Sequence, residues 1–303
     1  MAFRKMHVNE VVTDAALVGR LLAAQFPQWA GLPLSPVESA GTDNAIYRLG
    51  SELAVRLPRI DWAVGQVEKE HRWLPQLAPL LPLAIPEPLA KGEPSSEYPW
   101  PWSVYQWLDG ENRTGDTLAD PDRAAADTAD FIAALQRIDP LGGPAAADHG
   151  LRGVPLATRD NATRAAITAL AGELDADLAT AVWDNALAAP DWDRAPVWFH
   201  GDLLPGNLLF TGNRLSAVID FGGLGVGDPA PDLMIAWGLF SGPRRAGFRE
   251  ALAIDDATWA RGRGHALSQA LIFIPYYVDT NPAGVRQAWR AIEEMLTDYR
   301  TNG

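Results

Sequence analysis

No cysteine occurs anywhere in the 303 residues. The chain therefore has no disulfide framework, no thiolate metal site and no cysteine nucleophile. Histidine is scarce as well, with five residues scattered at positions 7, 71, 149, 200 and 265, a spacing unsuited to zinc. No stretch approaches the roughly 18 unbroken apolar residues of a membrane span. The most apolar windows, 77–90 and 266–278, are broken by proline or polar residues. The opening MAFRKMHVNEVV has two basic residues but no apolar run of signal-peptide length. These absences point to a soluble, cytoplasmic protein with no membrane partner. Basic residues are also in deficit, 25 Lys+Arg against 38 Asp+Glu, for a net charge of -13. Such a surface repels phosphate backbones, which excludes a dedicated nucleic-acid binder and favours neutral or cationic partners. Solubility alone accounts for the charge about as well. There is no Gly-Lys pair and hence no P-loop, and no GxSxG elbow. The glycine run GGLGVGD at 222–228 misses the dinucleotide fingerprint, because Asp228 stands where its third glycine belongs.

What is present divides into two regions. Residues 14–25 place Ala15, Leu17, Leu21 and Leu22 near one helical face, with Thr13 or Asp14 as the cap. Short β-type runs follow at Val37–Ser39, Ala45–Leu49 and Leu53–Leu57, separated by the turn signals GTDN and GSE. A helix is predicted over about 62–78, interrupted by Pro75. Proline-rich sequence then leads to another strand at 102–108, closed by Asp109-Gly110. The remainder is mainly helical. Asp120-Pro121 opens a helix through about Ile138, with proline at the first turn where its missing N–H costs nothing. A loop over 139–155 precedes helices at about 157–173 and 176–189. A strand–loop–strand unit occupies 197–221, and further helices are expected at about 230–240, 256–274 and 283–300. The pattern predicts an α+β, bilobal chain: residues 1–108 a small antiparallel sheet with one internal helix, residues 109–303 a larger, mainly helical lobe.

The most informative stretch is VWFHGDLLPGNLLFTGNRLSAVIDFGGLGVGDPAPDL, residues 197–233. Two β-type runs, Asn207–Phe210 and Leu215–Ile219, flank the turn TGNR. Such a hairpin folds the chain back so that Asn207, at the start of one strand, faces Asp220, just past the end of the other. One amide oxygen and one carboxylate converging there suit Mg²⁺, a hard cation commonly held by one or two carboxylates together with substrate phosphates. Asp202, on the preceding tight loop, is then placed to reach a substrate hydroxyl. Phosphoryl transfer needs this arrangement, because its loose transition state leaves the enzyme mainly to position groups and neutralise charge.

His200-Gly201-Asp202, Asn207, Ile219-Asp220-Phe221-Gly222 and Gly227-Asp228-Pro229, in this order and spacing, resemble the aminoglycoside phosphotransferase family. That family belongs to the small-molecule kinases with a protein-kinase-like fold. The resemblance implies that Asp202 is the catalytic aspartate and that Asn207 and Asp220 are the Mg²⁺ ligands. It implies ATP or GTP as co-substrate. Asp228 fits the family's second acidic position, read here as structural, holding the loop or capping the helix after Pro229. For His200 a hydrogen-bonding role behind the site is favoured over proton transfer.

The resemblance extends into the first 110 residues. Kinases hold the nucleotide phosphates with a strand lysine paired to a helix glutamate. The only lysines here are Lys5, Lys69 and Lys91, and none follows the glycine-turn hairpin on a strand. Arg56 occupies that position, with Glu70 as its expected helix partner and Glu68 as the rival. Arginine stays charged and binds phosphate through a fork of donors, but it is bulkier than lysine. A strand-ending surface salt bridge is the other reading of Arg56. Residues 39–44 (SAGTDN) stand where the phosphate-covering loop should lie. No GxGxxG is present, so backbone N–H groups with Ser39 and Thr42 would do that work; an ordinary hairpin turn fits nearly as well. The segment WSVYQWLDGE at 102–111 resembles the family's hinge, where the backbones of Gln106 and Leu108 would meet the base edge.

In this family C-terminal helices wall the acceptor pocket. Residues 266–281 run along a helix that ends in Tyr276, Tyr277, Asp279 and Asn281, of which Tyr277 and Asp279 are the candidate substrate contacts. A core helix with a polar cap is the competing reading. Trp73, Trp107 and Trp237 are expected in packing rather than in substrate stacking. The expected activity is transfer of the nucleotide γ-phosphate to a hydroxyl of a small, cationic acceptor, an aminoglycoside-type antibiotic first. Another acceptor, such as a macrolide or a metabolite, and a nucleotide-binding pseudokinase are the alternatives. The sequence carries no sign of oligomeric state.

Overall fold

The computed structural model describes residues 5–7, 9–37, 41–146 and 152–302. Ser39 lies outside the described residues. The chain divides into two compact units, Met1–Pro79 with Ala84–Asp109, and Leu80–Leu83 with Gly110–Gly303.

The first unit is built on an antiparallel sheet ordered β1-β2-β3-β5-β4. Its strands are β1 (Leu34–Pro36), β2 (Asn44–Leu49), β3 (Leu53–Pro58), β4 (Pro88–Gly92) and β5 (Trp102–Gln106). Alternation in β2 sends Ala45, Tyr47 and Leu49 to one face, where they meet Val55, Leu57, Trp102 and Val104. Helix α1 (Ala15–Gln25) closes that core with Leu17, Val18, Leu21 and Leu22, and its cap is Asp14, which accepts from the Leu17 N–H at 2.7 Å. Arg56, between Val55 and Leu57, belongs to the opposite face of the sheet and meets α2 (Val64–Leu77) there.

Two expectations change here, and a third, the strand run at Val37–Ser39, lies beyond Val37 outside the described residues; the first strand described is Leu34–Pro36, an edge strand that tolerates Pro36, which has no N–H to give. The proline-rich connector contains an unforeseen strand, β4, also at an edge and with an irregular register between Pro88 and Ala90. Gly92 is required in it, because a Cβ there would lie 2.0 Å from the Trp102 ring. Helix α2 runs through Pro75 unbroken, anchored on both sides of the proline by buried Trp73, Leu74 and Leu77.

The second unit packs its helices around α8 (Asp256–Tyr277), which is buried over most of its length. Against it pack α4 (Asp160–Ala169), α5 (Ala176–Ala188) and α9 (Pro282–Asn302), while α3 (Pro121–Arg137) packs on α7 (Gly242–Ala251) and the short α6 (Ile235–Gly238) on α9. Gly262 and Gly264 let α8 approach its neighbours, since a Cβ at either would fall 2.7 Å from Leu233 or 2.6 Å from Ala186. Four short strands carry the site: β6 (Val197–Phe199) pairs with β9 (Gly225–Gly227), and β7 (Leu208–Thr211) with β8 (Arg214–Val218). The helix expected over 230–240 is a 3₁₀ turn, Ala230–Met234, followed by the short α6; Pro229 and Pro231 deny its start two N–H donors. Likewise the helix expected from 157 begins as a 3₁₀ turn, Leu156–Arg159, before α4. Helix α7 was not foreseen: its GPRRAGFREA sequence has only one large apolar residue, Phe248, to mark its buried face. Among the described residues, no helix is long and apolar enough to cross a membrane.

Candidate active site

The hairpin of the second unit ends where the sequence spacing placed it. Leu208 pairs with Val218, and the Ile219 N–H donates to the Asn207 carbonyl at 2.9 Å, so Asn207 lies beside the residue that precedes Asp220. The Asn207 amide nitrogen donates to the Asp202 carbonyl at 2.8 Å and reaches its Oδ2 at 3.3 Å. Its donor side is thus committed to the Asp202 loop, and the group it can offer a cation is its carbonyl oxygen. Asp220 adopts a left-handed backbone, φ 64°, a conformation that aspartate tolerates better than most side chains. Such a residue stores modest strain and is held by its surroundings.

Those surroundings are the two loops themselves, which touch backbone to backbone. Gly201 has φ 80°, and a Cβ on it would lie 2.4 Å from the Gly223 carbonyl oxygen. A Cβ on Gly223 would in turn meet the His200 carbonyl oxygen at 3.0 Å. Only glycine on both sides lets the Asp202 loop and the Asp220 loop close to this distance. His200 is fully buried between them. Its ring lies 4.5 Å from that of Phe221, Nδ1 accepts from the Asp202 N–H at 3.2 Å, and Nε2–H donates to the Ile219 carbonyl at 3.1 Å. Both ring nitrogens serve the backbone of the two loops, which leaves His200 joining them.

Beneath the loop lies Asp232, a residue the sequence reading did not single out. It is fully buried, and its carboxylate accepts from the His200 N–H at 2.9 Å and the Gly201 N–H at 2.7 Å. Burial pushes its pKa up to about 7; the two N–H donors pull it down, and the Asp202 charge raises it further. Its sequence signal was an acid directly before the apolar run LMIAW, a place where an unpaired carboxylate is costly. Asp228 takes a bidentate contact from Arg261, at 2.7 and 3.2 Å, and its Oδ1 also accepts from the Ala230 N–H at 3.0 Å.

Arg152 is the second residue that sequence reasoning missed. Its Nη2 donates to Asp202 Oδ1 at 2.7 Å, and its Nη1 lies 3.3 Å from the Met234 sulfur. It comes from the segment read only as a loop, fifty residues before its partner, and no local spacing could have flagged it.

In the first unit Arg56 meets Glu70 and not Glu68. Its Nη1 donates to both Glu70 oxygens at 2.6 and 2.7 Å, and its Nη2 donates to Gln66 one turn earlier at 2.9 Å. Glu70 is buried, and the Tyr105 hydroxyl donates to it as well. Burial, with the Glu70 charge behind it, raises the Tyr105 pKa and keeps that phenol protonated as a donor. Glu68 is exposed and pairs with Lys91 at 2.7 Å. Thr42 donates its hydroxyl to Asp43 at 3.0 Å and its carbonyl accepts from His7. The Gln106 N–H is taken by the Glu87 carbonyl at 2.9 Å, so its carbonyl is the backbone group it could turn to a base; Leu108 follows, half-buried. Trp73 and Trp237 are buried, while Trp107 is half-buried under the Arg48 guanidinium, 4.5 Å from its ring centre.

Of the acceptor candidates, Tyr277 is buried at the end of α8, stacked on Phe273 at 4.3 Å, and Asp279 is exposed just beyond. Asn281 caps α9, accepting from the Gly284 N–H at 3.0 Å.

As a metal site the cluster is lean. Among the described residues, no group of three or more His, Asp or Glu converges to cage an ion. The Asn207 oxygen with the Asp220 carboxylate is the sparse, hard donor set that fits Mg²⁺, which completes its shell with phosphate and water.

The sequence pattern of a family described as the phosphotransferase enzyme family matches residues 35–265. No curated protein sequence matches the chain. Among solved structures it is similar to the GDP complex of wild-type aminoglycoside 2'-phosphotransferase-IIIa, with a TM-score of 0.74 at 18% identity over 95% of this chain and 100% of that one. It is similar also to the GDP and kanamycin complex of APH(2")-IIia, with a TM-score of 0.70 at 20% identity over 94% and 99%. A third likeness is to the apoenzyme of macrolide 2'-phosphotransferase MphH from Brachybacterium faecium, TM-score 0.58 at 24% identity over 92% and 97%. At these identities the shared property is the α+β, kinase-like fold.

Proposed function

This chain belongs to the phosphotransferase enzyme family, and on that premise we propose that it moves the γ-phosphoryl group of ATP or GTP onto a hydroxyl of a small molecule. The observation that carries this reading is the convergence of Asp202, Asn207 and Asp220 on two loops that glycines bring into contact. Asp202 orients the acceptor hydroxyl and accepts its proton as the new bond forms. It need not be a strong base, because in a loose transition state the proton is released late. Asn207 and Asp220 hold Mg²⁺, which when bound neutralises charge on the nucleotide phosphates. Arg56, fixed by Glu70, is the group of the first unit suited to a phosphate, with Thr42 and the residues around it as the covering turn. The backbones of Gln106 and Leu108 are suited to the base. A cytoplasmic location, where both nucleotides are abundant, fits this chemistry.

An aminoglycoside-type antibiotic is the first acceptor to test, its phosphorylation conferring resistance. Two neighbours named as aminoglycoside phosphotransferases support it. So does the charge of residues 112–303, which carry 25 acids against 16 basic residues and so attract a polycation. Tyr277 and Asp279 remain the candidate acceptor contacts. A second reading keeps the chemistry and changes the acceptor, to a macrolide or a metabolite; Arg152, whose positive charge on Asp202 would meet any ammonium beside the reacting hydroxyl, favours an acceptor uncharged at that position. The pseudokinase alternative loses ground, since the three acting side chains are present and assembled.

The test is an assay of ADP or GDP release over aminoglycosides, macrolides, amino-alcohols and uncharged alcohols, with ATP and GTP in parallel. One class should stimulate turnover, and Asp202→Asn should lower it by about 1,000-fold or more while nucleotide binding persists. Stimulation by no acceptor, with Asp202→Asn indistinguishable from the parent, would return the chain to the pseudokinase reading.

A further inference from the structure

The loop joining Asp202 to Asn207 is Leu-Leu-Pro-Gly, four residues without a charge. Phosphoryl transfer spreads negative charge over three oxygens of the moving group, and cations beside it lower the barrier. Among the described residues of the second unit, Arg152 forms a salt bridge with Asp202, and its side chain is 18% exposed and therefore reachable. A guanidinium carries five N–H donors in a rigid fork. Arg152 spends one on Asp202 Oδ1 and directs another at the Met234 sulfur, a weak acceptor. The remaining edge is available to a ligand.

Arg159 strengthens the point. It is 6% exposed, its Nε donates to Ser268 at 2.8 Å and its Nη2 reaches Gln269 only at 3.5 Å. Among the described residues no carboxylate forms a salt bridge with it, unlike the buried Arg245, Arg261 and Arg263 of the same unit. Burial lowers its pKa to about 10, and the charge of Arg152 acts in the same direction. Arg159 thus has no salt-bridged carboxylate among the described residues, while Arg152 rests on the catalytic one. Buried positive charge kept without a carboxylate is costly, and an arriving anion offsets that cost.

Resting on the phosphotransferase reading above, we propose that Arg152 is a catalytic residue. One edge of its guanidinium fixes Asp202, and the free edge receives the phosphoryl group as it passes to the acceptor; Arg159 is a positioning residue that keeps the local field positive. In the step, the bond from the γ-phosphorus to the β–γ bridging oxygen breaks and leaves the nucleoside diphosphate with that electron pair. The acceptor oxygen bonds to phosphorus, and its proton passes to Asp202 on the oxygen that Arg152 does not hold. Arg152 neither gains nor loses a proton.

The experiment uses the full chain and needs no acceptor. ADP and GDP are titrated by calorimetry with Mg²⁺, alone and with aluminium fluoride as the mimic of the moving phosphoryl group. The parent should bind one diphosphate at least about tenfold more tightly with the fluoride. Arg152→Ala should lose most of that gain while its affinity for the diphosphate alone stays within about twofold, and Arg152→Lys should keep part of it. With an acceptor in hand, Arg152→Ala should lower kcat about 100-fold at unchanged nucleotide KM, and millimolar guanidinium should restore part of the rate. An undiminished fluoride gain in Arg152→Ala overturns the proposal, as does a faster variant, which would make the pair an inhibitory latch. Equal losses with and without fluoride would mark a structural residue and overturn it too. A raised acceptor KM confined to anionic acceptors, with kcat intact, would assign Arg152 to the acceptor instead. A parent that shows no fluoride gain with either diphosphate refutes the phosphotransferase reading itself, a result distinct from all of these.

Discussion

Each unit of this chain has an arginine on a carboxylate, and the two pairs differ in what surrounds them. Arg56 and Glu70 are closed off: their side chains are 12% and 2% exposed, Arg56 bonds both Glu70 oxygens, and Gln66 and Tyr105 brace the pair. Arg152 and Asp202 are 18% and 27% exposed, share one bond and have a thioether as the other near neighbour of the guanidinium. The first pair is braced by fixed partners, which hold Arg56 in one geometry for the phosphate proposed above. The second has capacity left over, as a site that must bind and release requires. Their histidines differ in parallel. Burial lowers the pKa of His71, and the neighbouring Glu70 opposes that. Burial lowers His265 to about 3, and the charges of Arg159, Arg152 and Arg261 all push the same way.

Breaking the closed pair should have the largest effect on stability. Glu70→Ala strands the Arg56 guanidinium and removes the acceptor of the Tyr105 hydroxyl, so the loss in urea unfolding should be about 3–5 kcal/mol. The control is Glu68→Ala, which breaks only the exposed pair with Lys91 and should cost less than about 1 kcal/mol. Equal losses from the two would mean that the closed pair is no more than a surface bridge.

His265 tests the field on the other side of the comparison. Its folded pKa lies below its unfolded value of about 6.5, so both states are neutral above that pH. As pH falls, the unfolded chain takes up a proton that the native chain refuses, and stability is lost from about pH 6.5 down towards 3. His265→Asn lacks this penalty. Whatever it costs in packing at pH 7.5, the variant should gain on the parent by roughly 2 kcal/mol between pH 6.5 and 4.5. A stability difference that stays constant with pH would show that burial, with the arginine charges behind it, does not keep His265 neutral.

The two pairs were unequally legible in the sequence. Arg56 and Glu70 stand 14 residues apart on a strand and the helix after it, and the alternation of β3 fixes which face Arg56 takes. Asn207 and Asp220 were readable for a similar reason, since a hairpin of known turn sets their separation. Hairpins and helices are local, and their periodicity transmits geometry over a dozen residues. Arg152 reaches Asp202 from an irregular segment, where no period links position to direction. Asp232 was hidden differently, because its chemistry is with the backbone N–H groups of His200 and Gly201, which leave no trace in residue identity. The strand β4 was masked by its prolines and the helix α7 by its polarity, two cases in which tertiary packing outweighs local preference.

The smallest expected effect on stability sharpens the comparison most. Arg152→Ala removes a partly exposed guanidinium from a partly exposed carboxylate, and Asp202 can recover water on the vacated side. Solvent screening discounts such a pair, so unfolding free energy should change by less than about 1 kcal/mol. Removing Arg152 also relieves Arg159 of a like charge, which offsets part of the lost bond. A variant that unfolds with the parent yet loses the aluminium fluoride response separates the pair that meets the moving group from the pair whose loss unfolds the chain. If instead Arg152→Ala destabilises the chain as much as Glu70→Ala does, the two arginines play the same part, and the open edge of Arg152 is an accident of packing.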